Sequence, residues 1–246
     1  MESKNKLLEA RLNNILSPLG FELYPFKVGW YNEKVGEAYV LPYNSDTLAF
    51  STISTPDMFE KTFKPFIFEQ DLSGTQDPID QCMIHHFNLV KQEFLEEEVE
   101  VIHDFEMTPN RRPKVLLQTA GHVSGAAYYY QQNDLKENTW PQKKKMYGVS
   151  IHPRYGGWFA FRPVVIFKNI ECPDLEQQLP EDCVPTQELR KELLERINFH
   201  WQDWSFRDII APVKRYSEEQ KLYFQTLPKD RHELLVKMKK KHMCGD

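Results

Sequence analysis

The residues best suited to chemistry lie in a segment of small side chains and tyrosines, residues 118–131. Small residues such as Gly121 let a backbone or a flat ligand approach closely, and the run Tyr128-Tyr129-Tyr130 adds wide aromatic faces with polar tips. Such a surface suits a large planar ligand that carries amides. The same pattern is typical of a tightly packed core helix, in which His122 would be a hydrogen-bonded core residue rather than a ligand.

Two further segments combine arginine with aromatic side chains. Residues 152–162 contain a Gly156-Gly157 turn between aromatic residues and end at Arg162, and residues 198–208 carry Arg207 beside acidic residues. A guanidinium group can hold a carboxylate through two parallel hydrogen bonds, which favours a ligand with carboxylates. An ion pair between arginine and a neighbouring aspartate is the alternative, and the residues alone leave both interpretations open.

The composition disfavours several functional classes. The 246 residues carry 31 basic and 36 acidic side chains, a net charge of −5, and the two signs are interspersed along the chain. This disfavours nucleic-acid and membrane-surface binding, and the only basic runs are Lys143–Lys145 and Lys239–Lys241. Because we find neither an apolar run that could span a bilayer nor the apolar core of a signal peptide, we expect a cytoplasmic protein without nucleic-acid or membrane partners.

The cysteines and histidines do not form a known metal-binding pattern. Cys82, Cys172, Cys183 and Cys244 are 90, 11 and 61 residues apart, and neither an HExxH nor an HxH motif is present. In a reducing compartment the cysteines are most simply free thiols. We therefore predict no metal ligands among the protein side chains.

Apolar spacing and capping residues predict the order of helices and strands. Helices are expected before Ser17, over 56–69, 78–95 and 186–199, after 217 and from about 229. Strands are expected over 21–31, 48–53 and 99–104 with a continuation at 115–117, and as a hairpin of 148–152 and 158–167. The predicted N-caps are Thr55, Asp77, Thr186 and Ser217. Since we find no repeat, linker or change in composition, we predict a single α+β domain over 1–246, with helices flanking an antiparallel-rich sheet.

Six short motifs occur in order along the chain: NRRPK at 110–114, AAYYYQ at 126–131, IHPRYGGWFA at 151–160, DCVPT at 182–186, NFHW at 198–201 and RYSEEQK at 215–221. In these motifs the sequence resembles the CblC family of vitamin B12-processing proteins, over about residues 7–235. The resemblance implies a nitroreductase-like fold with a large cobalamin cavity. Unlike the mammalian members, this sequence has no proline- and serine-rich tail after Asp246, so we expect no role of that tail here.

The resemblance also implies an activity. The family binds cobalamin base-off and removes its upper axial ligand: cyanide by reduction, with electrons from a reduced flavin, and alkyl groups by transfer to glutathione. The expected redox cofactors are FMN or FAD, with NADP, and a thiol oxidase side activity is expected in air. Two other functions stay open, a non-catalytic cobalamin chaperone and a flavin-dependent nitroreductase-like oxidoreductase.

The resemblance further implies partners and an oligomeric state. Expected partners are downstream B12-trafficking proteins and the methionine synthase machinery. The expected state is a monomer or a ligand-dependent homodimer. Neither expectation follows from composition or spacing.

The matching motifs assign residues to two sites. Cobalamin is expected to contact Asp104, Val115, Leu116, Leu117, Gln118, His122, Tyr129, Tyr130, Gln131, Ser150 and Phe161. Glutathione, which has two carboxylates and one ammonium, is expected at Arg162, Arg207 and Arg231. The intramolecular alternative would pair these arginines with neighbours such as Asp208 or Asp230. No protein side chain is expected to act as the nucleophile.

His122 is not expected to ligate cobalt. Carriers of the methionine synthase type use a D-x-H-x-x-G motif, in which the aspartate orients the cobalt-binding histidine. This sequence has His122, Ser124 and Gly125 in that pattern but Ala120 in place of the aspartate. As in the family, we place His122 near the displaced base tail of cobalamin.

Overall fold

A computed structural model of the protein describes residues 4–70, 77–137, 140–141 and 146–244, so the basic run Lys143–Lys145 lies outside the described residues. The helices are α1 (Lys4–Leu16), α2 (Val28–Asn32), α3 (Lys64–Glu69), α4 (Pro78–Glu93), α5 (Leu117–Val123), α6 (Gln187–Phe199), α7 (Glu218–Gln225) and α8 (Arg231–Cys244). The strands are β1 (Phe21–Lys27), β2 (Thr47–Ser54), β3 (Val99–Ile102), β4 (Tyr128–Tyr130), β5 (Val149–Ile151) and β6 (Ala160–Glu171).

The strands form two antiparallel sheets. The larger has the order β1-β2-β6-β3, and β4 and β5 form a separate two-stranded sheet. This mixed architecture of helices and antiparallel strands confirms the α+β prediction.

The central strand β6 is buried on both faces because helices cover both sides of the larger sheet. Val165 and Phe167 pack towards α1, α4 and α8, whereas Val164 and Ile166 pack towards α2 and α5. Successive strand residues point to opposite faces, so an apolar run in β6 supplies two cores at once. A further core joins β4 and β5 to α6.

Three of the predicted N-caps are confirmed. The side chains of Asp77, Thr186 and Ser217 accept hydrogen bonds from the backbone N–H groups of residues 79, 189 and 220, at the starts of α4, α6 and α7. These bonds satisfy first-turn donors that have no partner inside the helix.

Three predicted boundaries were wrong. The first helix after β2 begins at Phe59 as a π-helical turn rather than at residue 56. The Thr55 hydroxyl donates to the Gly20 carbonyl and accepts from the Asp57 N–H in the turn that precedes this helix. The strand that starts at Phe21 ends at Lys27, where a short helix buries Tyr31. The last helix begins at Arg231, after a 3₁₀ turn at 228–230.

The strand predictions on either side of the aromatic segments were also wrong. Residues 115–117 do not continue a strand but lead into α5. Residues 149–151 pair with β4 rather than with β6, because β6 lies between β2 and β3 at the centre of the larger sheet. The Gly156-Gly157 segment is a tight turn closed by reciprocal hydrogen bonds between His152 and Gly156, and it directs the chain away from β5.

Candidate functional site

A cavity of about 710 Å³ lies beside α5, between the loop that precedes this helix and β4. Its volume falls in the range of about 300 to 1,000 Å³ that is typical of small-molecule sites. The residues that line it are Lys34, Asp104, Pro113, Val115, Leu116, Leu117, Gln118, Thr119, His122, Val123, Tyr128, Tyr129, Gln131, Asp134 and Phe161.

Nine of the eleven residues expected at cobalamin line this cavity, although they come from five separate stretches of the chain. Aromatic faces come from Tyr129 and Phe161, and polar side-chain tips come from Asp104, Gln118 and Gln131. The cavity therefore combines flat apolar walls with hydrogen-bonding groups. That combination suits a large ring with amide substituents.

Tyr130 and Ser150 do not line the cavity. Tyr130 is fully buried in the core beside α6, where its hydroxyl donates to Asp182 at 2.8 Å and accepts from the Val184 N–H at 2.8 Å. Ser150 lies opposite Tyr129 in the β4–β5 ribbon, and its buried Oγ has no hydrogen-bond partner in the described ranges. The strand thus gives adjacent tyrosines of one motif different surroundings.

Six lining residues were not among those assigned to cobalamin from the sequence, although three of them belong to the candidate segment 118–131: Lys34, Pro113, Thr119, Val123, Tyr128 and Asp134. Thr119 and Val123 are four residues apart on α5, so a helix assignment for this segment would have found them. Lys34 follows α2, far away in sequence, and no local pattern relates it to the tyrosines.

Two glycines next to the cavity, Gly121 and Gly148, are required because another part of the chain comes too close for a side chain. A Cβ atom on Gly121 would lie 2.1 Å from a ring carbon of Phe161, so α5 could not rest on β6 with a larger residue there. A Cβ on Gly148 would lie 2.6 Å from the ring of Tyr129. Both glycines therefore fix the positions of aromatic side chains that line the cavity.

His122 has its Nδ1 engaged, which supports the prediction that it does not ligate a metal. The backbone N–H of Tyr129 donates to Nδ1 at 3.2 Å, and burial lowers the pKa of the imidazole. A neutral imidazole whose Nδ1 accepts a hydrogen bond carries its proton on Nε2, so neither nitrogen offers a free lone pair. In the described part of the chain, no group of three or more His, Cys, Asp or Glu could hold a metal ion.

Arg162 lies on the opposite face of β6 from the cavity. It is 5% exposed, its Nε donates to Ser54 Oγ at 3.0 Å, and its Nη1 lies 3.4 Å from Asp104 Oδ2. Asp104 lines the cavity, and its other oxygen, Oδ1, is buried without a partner within the described ranges. The Arg162–Asp104 pair therefore connects the cavity to the region beyond β6.

Arg207 is held in an aromatic cage. Its guanidinium carbon lies 5.6, 5.0, 5.1 and 5.3 Å from the ring centroids of Trp158, Trp204, Phe206 and Tyr216. Cation–π attraction stabilises a positive charge in such a position. The Gly157 carbonyl accepts from Arg207 Nη1, whereas Nε is buried without a partner among the described residues.

Arg231 starts α8 and faces α4 and α7. Its Nη1 lies 3.4 Å from Asp77 Oδ2, its Nε donates to the Thr226 carbonyl at 3.2 Å, and its guanidinium carbon lies 4.9 Å from the Tyr223 ring centroid. Two of the arginines are therefore ion-paired within the protein, as the intramolecular alternative predicted, but with aspartates other than Asp208 and Asp230. Asp104 and Asp77 pair with Arg162 and Arg231, whereas the described contacts of Asp208 are with Arg215 and Trp158.

Arg207 lies beside the buried Tyr216 and Arg231 beside the buried Tyr223, and we call this part of the protein, together with Arg162, the polar region. Burial raises the pKa of Tyr216, and the charges of Arg207 and Arg162 both oppose this shift. Burial likewise raises the pKa of Tyr223, opposed by Arg231 and Arg162. The charge of Arg162 thus acts on both tyrosines, a relationship between distant segments that the sequence alone could not reveal.

Comparison with known proteins identifies the family. A family model described as the methylmalonic aciduria and homocystinuria type C family matches residues 20–235. The chain belongs to this family. The similarity extends beyond the six motifs, since the matched range includes all of the residues that line the cavity and the polar region.

Two curated relatives carry the same name, "cyanocobalamin reductase / alkylcobalamin dealkylase". The protein from Gallus gallus is 55% identical over 225 residues, which cover 92% of this chain and 94% of the relative. The protein from Homo sapiens is 50% identical over 235 residues, which cover 96% of this chain and 83% of the relative.

A solved structure shares the fold. The crystal structure of a Caenorhabditis elegans B12-trafficking protein, CblC, superposes with a TM-score of 0.87 at 36% identity, and the match covers 95% of this chain and 96% of that one. None of the helices in the described ranges is long and apolar enough to cross a membrane.

Proposed function

We propose that this protein binds cobalamin base-off and removes its upper axial ligand, by reductive decyanation of cyanocobalamin and by glutathione-dependent dealkylation of alkylcobalamins. The observation that carries the proposal is the cavity, in which nine residues expected at cobalamin come together. The names of the curated relatives support the same reactions. On this proposal the nitroreductase-like fold of the family supplies the large cobalamin cavity.

The lining residues suit the two kinds of surface that cobalamin presents. The rings of Tyr129 and Phe161 are proposed to cover the corrin, and Gln118, Gln131 and Asp104 to bind its peripheral amides. Ser150 lies opposite Tyr129 on the paired strand, so it is proposed to support Tyr129 rather than to line the cavity itself.

Base-off binding is proposed to make the reaction easier at cobalt. Removal of the lower nitrogen ligand stabilises the reduced, lower-coordinate product relative to the substrate, so a protein that prefers this form lowers the barrier. As in the family, His122 is proposed to lie near the displaced base tail. Its Nδ1 already accepts from the Tyr129 N–H and is not free to bind cobalt. No histidine would then replace the lost ligand.

Dealkylation is proposed to be a displacement by the thiolate of glutathione. The sulfur forms a bond to the cobalt-bound carbon, the cobalt–carbon bond breaks, and its electron pair stays on cobalt as Co(I), while the thiol proton leaves to solvent. Arg162, Arg207 and Arg231 are proposed to hold the carboxylates of glutathione, and their positive charge favours the thiolate.

The three cysteines whose side chains the structure describes are poor alternative nucleophiles. Cys82 and Cys172 are buried, and burial raises their pKa to about 12 and about 11. Burial also raises the pKa of Cys183. Because the thiolate is the reactive form, these residues are unreactive near neutral pH.

Decyanation is proposed to take one electron from a reduced flavin, so that Co(III) becomes Co(II) and cyanide leaves with its electron pair. FMN or FAD would supply this electron, with NADP as the further redox cofactor.

Further proposals concern side reactions and context. Co(I) and Co(II) react with oxygen, so we propose a glutathione-dependent thiol oxidase activity, which stoichiometric use of glutathione in air would exclude. From the family alone we propose a cytoplasmic location and B12-trafficking partners that include the methionine synthase machinery. We also propose, on the same basis, a monomer or a ligand-dependent homodimer.

The test is the visible spectrum of cobalamin with the protein, followed by analysis of the products. A base-off shift on binding, then conversion of methylcobalamin and glutathione to S-methylglutathione, is the expected result. A base-off shift without any dealkylation would leave a cobalamin chaperone. The absence of any shift would favour a nitroreductase-like oxidoreductase that acts on small molecules.

A further inference from the structure

Two polar side chains on the inner face of α7 lack partners. Gln220 and Tyr223 are 2% and 0% exposed, and they lie three residues apart on the same helix face. Gln220 Oε1 and the Tyr223 hydroxyl have no hydrogen-bond partner within the described ranges. Because a buried polar atom without a partner is destabilising, its retention points to a partner that arrives with a ligand.

Arg231 lies over the Tyr223 ring at 4.9 Å and pairs with Asp77, the N-cap of α4, and Asp80 follows in the first turn of that helix. Burial raises the pKa of Tyr223, Arg231 and Arg162 oppose the shift, and Asp77 and Asp80 reinforce it. A phenol in this position can donate to an anionic ligand held by the arginines.

Asp80 is the aspartate of this region that has no ion-pair partner in the described ranges. Asp77 pairs with Arg231 and Asp104 with Arg162, each at 3.4 Å, whereas Asp80 forms no hydrogen bond or ion pair there. Burial, and then the charges of Asp77 and Asp104, raise the pKa of Asp80 to about 6. A cation next to the Asp80 carboxylate would therefore offset the burial and the like charges that disfavour its ionised form.

Arginines and a phenol hydroxyl suit a carboxylate, and an unpaired carboxylate suits an ammonium. The two together match an α-amino acid, which presents both charges on one carbon. Glutathione has one such end, its γ-glutamyl residue, and its other carboxylate is a glycine terminus without an ammonium.

We infer that Tyr223 and Asp80 bind the γ-glutamyl end of glutathione, with the Tyr223 hydroxyl on its α-carboxylate and the Asp80 carboxylate on its ammonium. This inference rests on the proposed function, which places glutathione at the three arginines. It assigns a specificity for the zwitterionic end that arginines alone would not provide.

A purely electrostatic role of Asp80 predicts the opposite change in the affinity for glutathione derivatives. If Asp80 only offsets the charge of Arg162 and Arg231, its removal strengthens the attraction between the arginines and an anionic ligand. Asp80→Asn would then bind glutathione derivatives more tightly than the wild type.

The experiment uses S-methylglutathione, which carries the same charged ends as glutathione but has no free thiol to react. Its dissociation constant is measured by calorimetry on the cobalamin-bound protein, for the wild type, Asp80→Asn, Tyr223→Phe and Tyr43→Phe. The same titrations are made with N-acetyl-S-methylglutathione, which lacks the ammonium. Tyr43→Phe is the control, since it removes a phenol hydroxyl that bonds to Glu100, away from the arginines.

We expect Asp80→Asn to weaken S-methylglutathione about tenfold or more and the N-acetyl derivative hardly at all. Tyr223→Phe should weaken both ligands by a similar factor, because both keep the carboxylate. Tyr223→Phe should melt at or above the wild-type temperature, since it removes a hydroxyl that lacks a partner. Tyr43→Phe should leave both dissociation constants unchanged.

The outcomes separate this inference from the function on which it rests. If the wild type binds S-methylglutathione and Asp80→Asn binds it equally well or more tightly, the inference about the ammonium is wrong and the thiol site stands. Unchanged affinity in Tyr223→Phe would remove the hydroxyl contact. If the wild type does not bind S-methylglutathione, the proposed thiol site is wrong, and the inference with it.

Discussion

The Arg162 guanidinium lies 3.4 Å from the Asp104 carboxylate, and this ion pair joins the cavity to the polar region on the other side of β6. The two side chains are 6% and 23% exposed, so each is a largely buried charge with the other as its partner. Removal of either one leaves the other unpaired, which is strongly destabilising in a buried pair. Any test of Arg162 must therefore separate loss of stability from loss of function.

Arg207→Gln is the clearest test of the proposed glutathione site. The described contacts of Arg207 are with aromatic rings and a backbone carbonyl, so its replacement leaves no unpaired carboxylate behind. We expect glutathione-dependent dealkylation to need about ten- to a hundredfold more glutathione, while base-off cobalamin still binds. Arg231→Gln should behave similarly, with an additional loss of stability because Asp77 loses its partner.

Arg162→Gln should raise the glutathione concentration that dealkylation requires and should also lower the melting temperature. Cobalamin affinity, glutathione dependence and melting temperature are measured on the same three variants. If all three variants are stable and their glutathione dependence is unchanged, the protein has no thiol site at these arginines and is a cobalamin carrier.

Tyr129→Ala should weaken cobalamin binding, whereas Tyr130→Phe should lower stability. Tyr129 lines the cavity, so its truncation should weaken cobalamin about tenfold, for a loss of about 1 to 2 kcal/mol of contact. Tyr130 bonds to Asp182 and Val184 in the core, so loss of its hydroxyl should lower the free energy of unfolding by about 1 to 3 kcal/mol with little change in cobalamin affinity. Spectroscopic titration and urea unfolding measure the two effects.

Gln131→Ala should resemble Tyr129→Ala in its effect on cobalamin. Gln131 also caps the turn at residues 132–134, so a small loss of stability should accompany the weaker binding. Equal cobalamin affinity in Gln131→Ala, Tyr129→Ala and the wild type would contradict the assignment of the cavity.

Replacement of the four cysteines should leave dealkylation largely intact. Cys82 and Cys172 are buried, so alanine is the better substitute at those two positions, and serine is used at Cys183 and Cys244. Turnover of methylcobalamin with glutathione is compared with cobalamin binding as the control for folding. A variant that binds cobalamin but has lost turnover would mean that a protein thiol carries out the chemistry.

Burial of His152 should make stability depend on pH. It is 1% exposed, its Nδ1 accepts from the Arg154 N–H at 3.0 Å, and burial lowers its pKa to about 4. In the unfolded chain its pKa is about 6.5. Between these values the unfolded state binds a proton that the folded state does not, so stability falls as the pH drops from about 6.5 to about 4, by up to about 3 kcal/mol.

The check is urea unfolding at pH 7, 6 and 5 for the wild type and His152→Gln. Asp80 acts in the opposite direction, because its raised pKa makes the folded state more stable as the pH falls below about 6. The difference between the two proteins removes this common contribution. Parallel pH profiles would show that His152 is not the titrating group.

Local patterns predicted the features of this protein that depend on neighbours in the chain. Asp77, Thr186 and Ser217 cap their helices as predicted, because a cap bonds to an N–H two or three residues away. Tyr129, Gln131 and Phe161, which the family resemblance assigned to cobalamin, line one cavity in the structure.

Pairing between distant segments could not be predicted in the same way. Residues 149–151 have the same apolar character whether they pair with β4 or with β6, and only the full sheet order decides between them. The partners of Arg162 and Arg231 also proved to be aspartates 58 and 154 residues away in the chain.

The sequence by itself determined the family, the α+β class and the residue types of the candidate site, since these depend on composition and on local order. Only the tertiary structure decided which faces those residues share. Ser51 pairs with Val164 and Ile53 with Phe161, so β6 contains one more residue than β2 over this stretch, a β-bulge. Strand periodicity alone would put Phe161 on the same face as Val165, but the extra residue turns Phe161 towards α5 and the cavity and Arg162 towards the polar region. The extra residue thus decides which face of β6 carries the proposed cobalamin site and which carries the proposed thiol site, and pairing register depends on contacts between strands that are distant in the sequence.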